Sequence, residues 1–469
     1  MNYHEMALEA AGFATRNDAG QRIGRFTLRV LHSPAGEMAA DEAVTVDYDD
    51  CRLQASLMSL ESREIDRTAL IDLGRSLAAL LLPDGKRGDA PSVREIFARN
   101  LEKLGADEGL RLRLRLPAEL AVFPWEYLYV ERAGGEGADG FLALDPRIAI
   151  VRHDALPTEA PLPLVEGDIR VLLALAQAEE LPELDLAGER DALQQALQGI
   201  DGITSEVCPD ATLATLQPLL PGAAIFHFAG HGDFTRRMGA RPGTYSGVGY
   251  LALADERVSA EQMAINLHGN GVRLAVLAGC QTGRRDGVSV WSGIAPALVK
   301  VGIAAVVANQ YSILDTCAIA FSRQFYQALA GGLPLERALS AGRIAAYNAD
   351  PQGRDWGVPV LYLRAASGQL FAGAADGEAR RRARQAAEAD VEVRLTEIAA
   401  GGVVVGADLQ RMLNGRLSVA VELAGSVAGT LIGARVKHLE DGGTQVRVDA
   451  GRVLGGGRLT GLTGCSKRP

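Results

Sequence analysis

The chain has 469 residues, of which 48% are hydrophobic and 23% charged. That balance excludes a disordered or fibrous protein and leaves room for several domains at roughly 100–200 residues each. With 48 basic against 58 acidic side chains the net charge is -10, which opposes attraction to phosphate backbones and anionic lipid, so neither nucleic acid nor a membrane is an expected partner.

The opening MNYHEMALEAAGFATRNDAGQR lacks a basic stretch followed by an apolar core, and no apolar run approaches the ~20 residues that cross a bilayer. A cytoplasmic location is the expectation. Cys51, Cys208, Cys280, Cys317 and Cys465 are odd in number, widely spaced and without a CxxC, which argues against a disulfide framework or a zinc cluster. No metal or organic cofactor is expected, and a cysteine with a role here acts as a thiol.

Residues 1–153 read as an α+β region. A strand-like FTLRVLHS from Phe26 is followed by the helical stretches ALIDLGRSLAALLL and VREIFARNLEKLG. From Arg111 to Leu116 charged and apolar residues alternate, the period of a strand with one solvated face. Trp125, beside Pro124, reads as a core anchor. Pro157, Pro161 and Pro163 mark a boundary within residues 154–168.

Past that boundary, apolar runs alternate with helical segments: IRVLLALA (169–176), ITSEVCP (203–209), AAIFHFAG (223–230), RLAVLAG (273–279), IAAVVANQ (303–310) and a closing VPVLYLRA. Each of the main runs is continuously apolar, so both faces must be covered. The expectation for 168–366 is α/β, a mainly parallel sheet flanked by helices. A charged connector helix is expected over 376–400, followed by a small, Gly-rich all-β domain over 401–469, in the form of a barrel or sandwich. Val404-Val405-Gly406-Ala407 and Leu431-Ile432-Gly433-Ala434 share one pattern at an offset of 27, a faint trace of repetition.

Two strands run directly into chemistry-bearing loops. AAIFHFAG ends at His231-Gly232-Asp233, and RLAVLAG ends at Cys280-Gln281-Thr282-Gly283. In a parallel sheet the carboxyl ends share one edge, where ligands collect. Neighbouring strands would bring His231 toward Cys280; an imidazole holds a thiol as thiolate and then protonates a leaving amine. Glycines flank both residues and let a substrate main chain come close, and the N–H groups of Gly232 and Cys280 are candidates for an oxyanion hole. Against this stands a bland reading, in which Cys280 is a buried inert thiol. His227 reads as a structural histidine, and Cys208 and Cys317 as packing residues.

His227-Phe228-Ala229-Gly230-His231-Gly232 and Leu277-Ala278-Gly279-Cys280-Gln281-Thr282-Gly283, with PALVKVGIAAVVANQYSILD downstream and FPWEYL upstream, resemble the CHAT domain. This is a caspase-like family of the clan that holds caspases, separase and gingipains, and the similarity covers roughly residues 110 to 366, so that 110–153 falls within it. His231 and Cys280 lie 49 residues apart, close to the ~50 that separate the pair in caspases. The resemblance implies a caspase-like α/β fold and cysteine endopeptidase activity, with His231 as base and Cys280 as nucleophile. Bacterial relatives act in defence systems, where an activating sensor protein releases the protease to cleave a partner such as a gasdermin-like pore former. No tetratricopeptide array is visible in this chain, and Asn309-Gln310-Tyr311 stands where many relatives carry a tryptophan before a proline.

A substrate pocket would draw on loops 233–249 and 283–291 and on the segment after Gln310. Asp233, Asp286 and Gln310 are the candidate substrate-binding residues, the two aspartates as ion-pair acceptors for a basic side chain. Activity is expected to be gated by a partner, by processing or by the C-terminal module. The alternative is a non-catalytic scaffold or interaction module that keeps the fold for assembly.

Overall fold

The structure is a computed structural model that describes residues 2–18, 21–85, 90–131, 140–152, 164–165, 167–238, 245–278, 291–372, 389–395 and, within 403–463, the strands given below. The chain falls into two compact units, Met1–Ala374 and Ala375–Pro469.

The first unit opens with β1 (Asn2–Asp18), β2 (Gln21–His32) and β3 (Val44–Asp49), then α1 (Asp50–Glu61), α2 (Arg67–Leu81) and α3 (Val93–Glu102). β4 (Glu108–Arg115), the single turn α4 (Ala118–Ala121) and β5 (Ile148–Arg152) follow. Next come β6 (Ile169–Ala176), α5 (Leu186–Leu197), β7 (Ile203–Cys208), the turn α6 (Leu213–Leu216) and β8 (Ile225–Gly230). A three-stranded insert, β9 (Gly232–Met238), β10 (Tyr245–Ala252) and β11 (Arg257–Ser259), leads to α7 (Ala260–Gly269), β12 (Leu274–Leu277), α8 (Trp291–Val301) and β13 (Ala305–Asn309). α9 (Asp315–Ala330), α10 (Leu335–Ala349) and β14 (Pro359–Leu363) complete it.

Eleven strands form one sheet in the order β3-β2-β1-β4-β5-β14-β13-β12-β8-β6-β7. The block β13-β12-β8-β6-β7 is parallel throughout, and the direction reverses at the antiparallel β13/β14 pair. Strands on both sides of residues 154–168 therefore share this sheet, since β5 pairs with β14. The expected mainly parallel α/β sheet flanked by helices is what the chain builds.

Continuous apolar runs explain the parallel block. Along β6, Val171, Leu173 and Leu175 belong to one core and Leu172, Ala174 and Ala176 to another, so successive side chains feed opposite layers. Leu193, Phe321, Phe325 and Tyr326 of α5 and α9 cover the first face, and Met263, Leu267, Ile294 and Leu298 of α7 and α8 cover the second. Each fully buried aliphatic or aromatic side chain contributes ~1.5–3 kcal/mol, so neither layer is dispensable.

The reading of Arg111–Leu116 is corrected: β4 has no solvated face. Leu110, Leu112 and Leu114 are buried on one side, and Arg111 and Arg113 are buried on the other. Arg111 donates through Nε to Glu336 on α10 at 2.9 Å and through a terminal nitrogen to the Ala366 carbonyl at 3.1 Å, while Arg113 pairs with Glu5 at 3.3 Å. Alternation signals a polar face only when water, rather than a distant carboxylate, meets the charge. Trp125 is fully buried, with its indole N–H donating to the Leu120 carbonyl at 2.9 Å.

In the second unit the expected connector helix is overturned over Ala389–Leu395, which is strand β15; the rest of 376–400 lies outside the described residues. Val391, Val393 and Leu395 alternate with Asp390, Glu392 and Arg394, a period that suits a strand. β16 (Val403–Leu409), β17 (Met412–Leu413), β18 (Arg416–Val427), β19 (Thr430–Val436), β20 (Leu439–Glu440), β21 (Gly443–Val453) and β22 (Arg458–Thr463) follow. Pairing is parallel in β15-β18-β21, β16-β19-β22 and β17-β20.

A barrel or sandwich of hairpins would pair antiparallel, so that form is corrected to a stack of coils. Val391, Val419 and Val446 are register partners, as are Val393, Val421 and Val448. The 27-residue offset seen in the sequence is one full coil, and Ala407 lies opposite Ala434. Matching residues stack because each coil presents the same face to the next.

Candidate active site

The parallel block has the strand order second-first-third-fourth-fifth when numbered from β6, which puts a topological switch point between β6 and β8. In open parallel sheets ligands commonly bind outside the carboxyl edge near such a point. β6 ends at Ala176, β8 at Gly230, β12 at Leu277 and β13 at Asn309, all on that edge.

β8 and β12 are parallel neighbours with Phe228 opposite Leu277, and the Ala278 N–H donates to the Phe228 carbonyl at 3.0 Å. His231 follows Phe228 by three residues and Cys280 follows Leu277 by three. Residues 279–290, which include Cys280 and Asp286, and residues 239–244 lie outside the described residues, and the rest of the expected loop 233–249 is instead strand, in β9 and β10. Gly230 permits the close approach of β8 to β6: a Cβ there would stand 2.9 Å from the Ala176 carbonyl and 2.6 Å from the Phe228 ring.

The His231 ring is buried, and its Nε2 lies 2.7 Å from the carbonyl oxygen of Pro182. A carbonyl only accepts, so Nε2 carries the proton and donates, and in the neutral ring Nδ1 is left as the basic atom. Pro182 sits in the loop after β6, and Gln177 shapes that loop. The Gln177 side-chain amide donates to the carbonyls of Ala178, Leu181 and Pro182 at 3.0–3.3 Å and its oxygen accepts from the Leu184 N–H at 2.9 Å. Sequence reading missed both groups, because a backbone carbonyl carries no residue signature.

Gly232 begins β9 opposite Leu251. The Ala252 N–H donates to the His231 carbonyl at 2.9 Å, so in the alternating antiparallel ladder the next pair is not hydrogen-bonded and the Gly232 N–H turns away from β10. Asp233 is held by Arg257 on β11 at 2.6 Å. Gln310 is buried and its side chain donates to Glu126 at 3.3 Å, away from the cleft. Glu126 in turn accepts from Arg152 at 2.7 Å, which ties the β13 tip to the amino-terminal part of the sheet.

His227 is buried with Nδ1 2.7 Å from the Tyr326 hydroxyl, and burial pulls its pKa down to about 4, so the ring is neutral. Cys317 is buried on α9, where burial first and then the charges of Asp355 and Asp350 push the thiol up to about 11. Such a thiol is inert at neutral pH. Cys208 is likewise buried, its Sγ 3.4 Å from the Thr215 hydroxyl.

A pocket of about 80 Å³ lies on the α5/α9 side of this edge. Glu189, His227, Ala278, Asn309, Tyr311 and Asp315 line it, among others. Nothing in the sequence singles out Glu189, which follows the α5 cap, where Asp185 accepts from the Gly188 N–H at 2.8 Å.

A buried, mainly parallel sheet flanked by helices, with a histidine following the tip of one of its central strands, is the caspase-like arrangement expected from the sequence. The chain belongs to the CHAT domain family, whose model matches residues 90–369. Comparison with curated proteins finds no match. Two crystal structures of the Saccharomyces cerevisiae separase–securin complex are similar in fold. One gives a TM-score of 0.33 at 15% identity over 67% of this chain and 20% of that one; the other gives 0.41 at 11% identity over 77% and 30%. The chain thus spans less than a third of the length of those structures. Among the described residues no helix is long and apolar enough to cross a membrane.

Proposed function

We propose that this chain is a cysteine endopeptidase in which Cys280 attacks the scissile carbonyl and His231 handles the protons. The observation that supports this reading is the β8/β12 register: Phe228 and Leu277 are aligned on two neighbouring parallel strands, and His231 and Cys280 each follow three residues later in the sequence. Adjacent strands run about 4.8 Å apart, so the two loops leave the sheet side by side. In the catalytic cycle Nδ1 of His231 takes the thiol proton, the thiolate adds to the carbonyl, and the same proton passes to the leaving amine. Water then hydrolyses the acyl-enzyme. The Pro182 carbonyl supports the protonated ring, as the third member of such constellations does. The Gly232 and Cys280 N–H groups would meet the oxyanion.

The substrate is a partner protein, cleaved in a gated bacterial defence or signalling pathway, with an activating sensor and a gasdermin-like or other effector as the partners that the family resemblance suggests. Labelling by an electrophilic peptidyl ketone tests the chemistry. Wild type should be modified, and Cys280→Ala and His231→Ala should not. Equal modification of wild type and Cys280→Ala overturns the reading in favour of a scaffold.

A further inference from the structure

Helix α1 ends in a turn that asks for a different residue from the one it has. The Glu64 N–H donates to the Ser59 carbonyl at 3.0 Å and the Arg63 N–H to the Leu60 carbonyl at 3.4 Å, the paired bonds of a Schellman motif. The residue after the Ser62 cap then stands in the left-handed region, a place for glycine, yet it is Arg63, with a φ of 63°. Arg63 is the one non-glycine residue with positive φ among the described residues. A side chain kept where its own backbone is disfavoured points to a task for that side chain.

That task lies 249 residues further along the chain. Through one terminal nitrogen Arg63 donates to the Ser312 carbonyl at 2.8 Å, and through the other it meets Asp355 at 3.0 Å. Asp355 is 1% exposed, and its Oδ2 accepts from the Leu314 N–H at 2.7 Å. Leu314 is the N-cap of α9 and has no side chain that can cap, so a carboxylate from the turn before β14 meets that end of the helix instead. Arg354, also buried, lies over the Tyr311 ring at 5.1 Å.

The segment so held follows β13, which ends at Asn309 on the carboxyl edge of the sheet, two strands from the β8 tip that His231 follows. We propose that Arg63 is a positioning residue: from the amino-terminal helices it clamps residues 311–314 as a fixed wall of that edge, without itself touching substrate. The use of this wall in presenting a peptide rests on the peptidase reading; the clamp does not. A planar fork is what the arrangement requires, because it must satisfy a carboxylate and a carbonyl at once. Lysine, a point charge, cannot replace it.

Variants of the full-length chain separate the side chain from the backbone. Arg63→Gly removes the fork and suits the left-handed turn, whereas Arg63→Lys keeps the charge alone. By hydrogen exchange and mass spectrometry, the amides of residues 311–318 should exchange ~10-fold faster or more in both, as loss of a charge-assisted pair implies, while those of β6 and β8 keep the wild-type rate. Millimolar methylguanidinium should restore slow exchange in Arg63→Gly, and methylammonium should not. Labelling by the peptidyl ketone should slow ~10-fold in Arg63→Gly and recover with the same additive. Unchanged exchange over 311–318, exchange that quickens equally in β6 and β8, or absence of rescue overturns the clamp. Full-rate labelling of a variant whose 311–318 amides have loosened overturns the positioning role. Wild-type protein that resists labelling, with exchange responding as expected, sinks the peptidase reading and leaves the clamp standing.

Discussion

The two halves of the large sheet handle polar groups in opposite ways. In the amino-terminal half, buried arginines on the strands are ion-paired: Arg111 and Arg113 within β4 meet Glu336 and Glu5, and Arg152 at the end of β5 meets Glu126. In the parallel half from β6 to β13, apolar side chains fill both faces, His227 is buried within β8, and His231 and Gln310 follow the carboxyl ends of β8 and β13. Paired charges in a dry core fix how elements sit, since only one arrangement satisfies them.

Substitutions should divide along the same line, edge positions altering rate and mid-strand positions altering stability. The largest effect is expected for His231→Ala, which should slow ketone labelling by ~10²–10⁴ while the urea midpoint stays near that of wild type, within ~1 kcal/mol. A comparable loss of stability would break the division. Glu126→Ala should cost ~3–5 kcal/mol in urea unfolding, because it strands Arg152 in the core and frees Gln310. Replacing Glu126 and Arg152 together by leucine and methionine should recover much of that loss.

His227 offers a third test, through pH. The unfolded chain takes up this proton near 6.5, whereas the folded ring resists it to about 4. The unfolded state binds more protons in that window, so stability is intact above it and falls as pH drops through it, by about 3 kcal/mol at the lower end. His227→Phe should flatten the urea midpoint between those pH values; an unchanged slope would refute the assignment. Smallest is Gln177→Leu, which loosens the Pro182 loop without touching the ring. It should slow labelling by ~3–10-fold, the scale of one or two hydrogen bonds.

Strands β6, β8, β12 and β13 were legible because burial on both faces leaves an uninterrupted apolar run that few other structures tolerate. That β8 and β12 lead into His231 and Cys280 was legible for the same reason. β4 was misread because its partners, Glu5 and Glu336, lie far away in sequence, and no local pattern distinguishes an arginine facing water from one facing a carboxylate. The strand at 389–395 was hidden by the Ala- and Arg-rich composition before it. The Pro182 carbonyl looks like nothing at all, since it meets His231 through the path of the loop after β6, which only the assembled sheet defines.

The stacked coils of the second unit carry a consequence for its length. Each coil contacts only its neighbours, so gain or loss of one entire turn leaves every surviving backbone pair intact. Removal of one residue inside a turn instead slides that rung by half a pleat and exchanges its inward and outward positions. Size in this tail is quantised: whole rungs can come and go, whereas a fractional rung unravels the ladder.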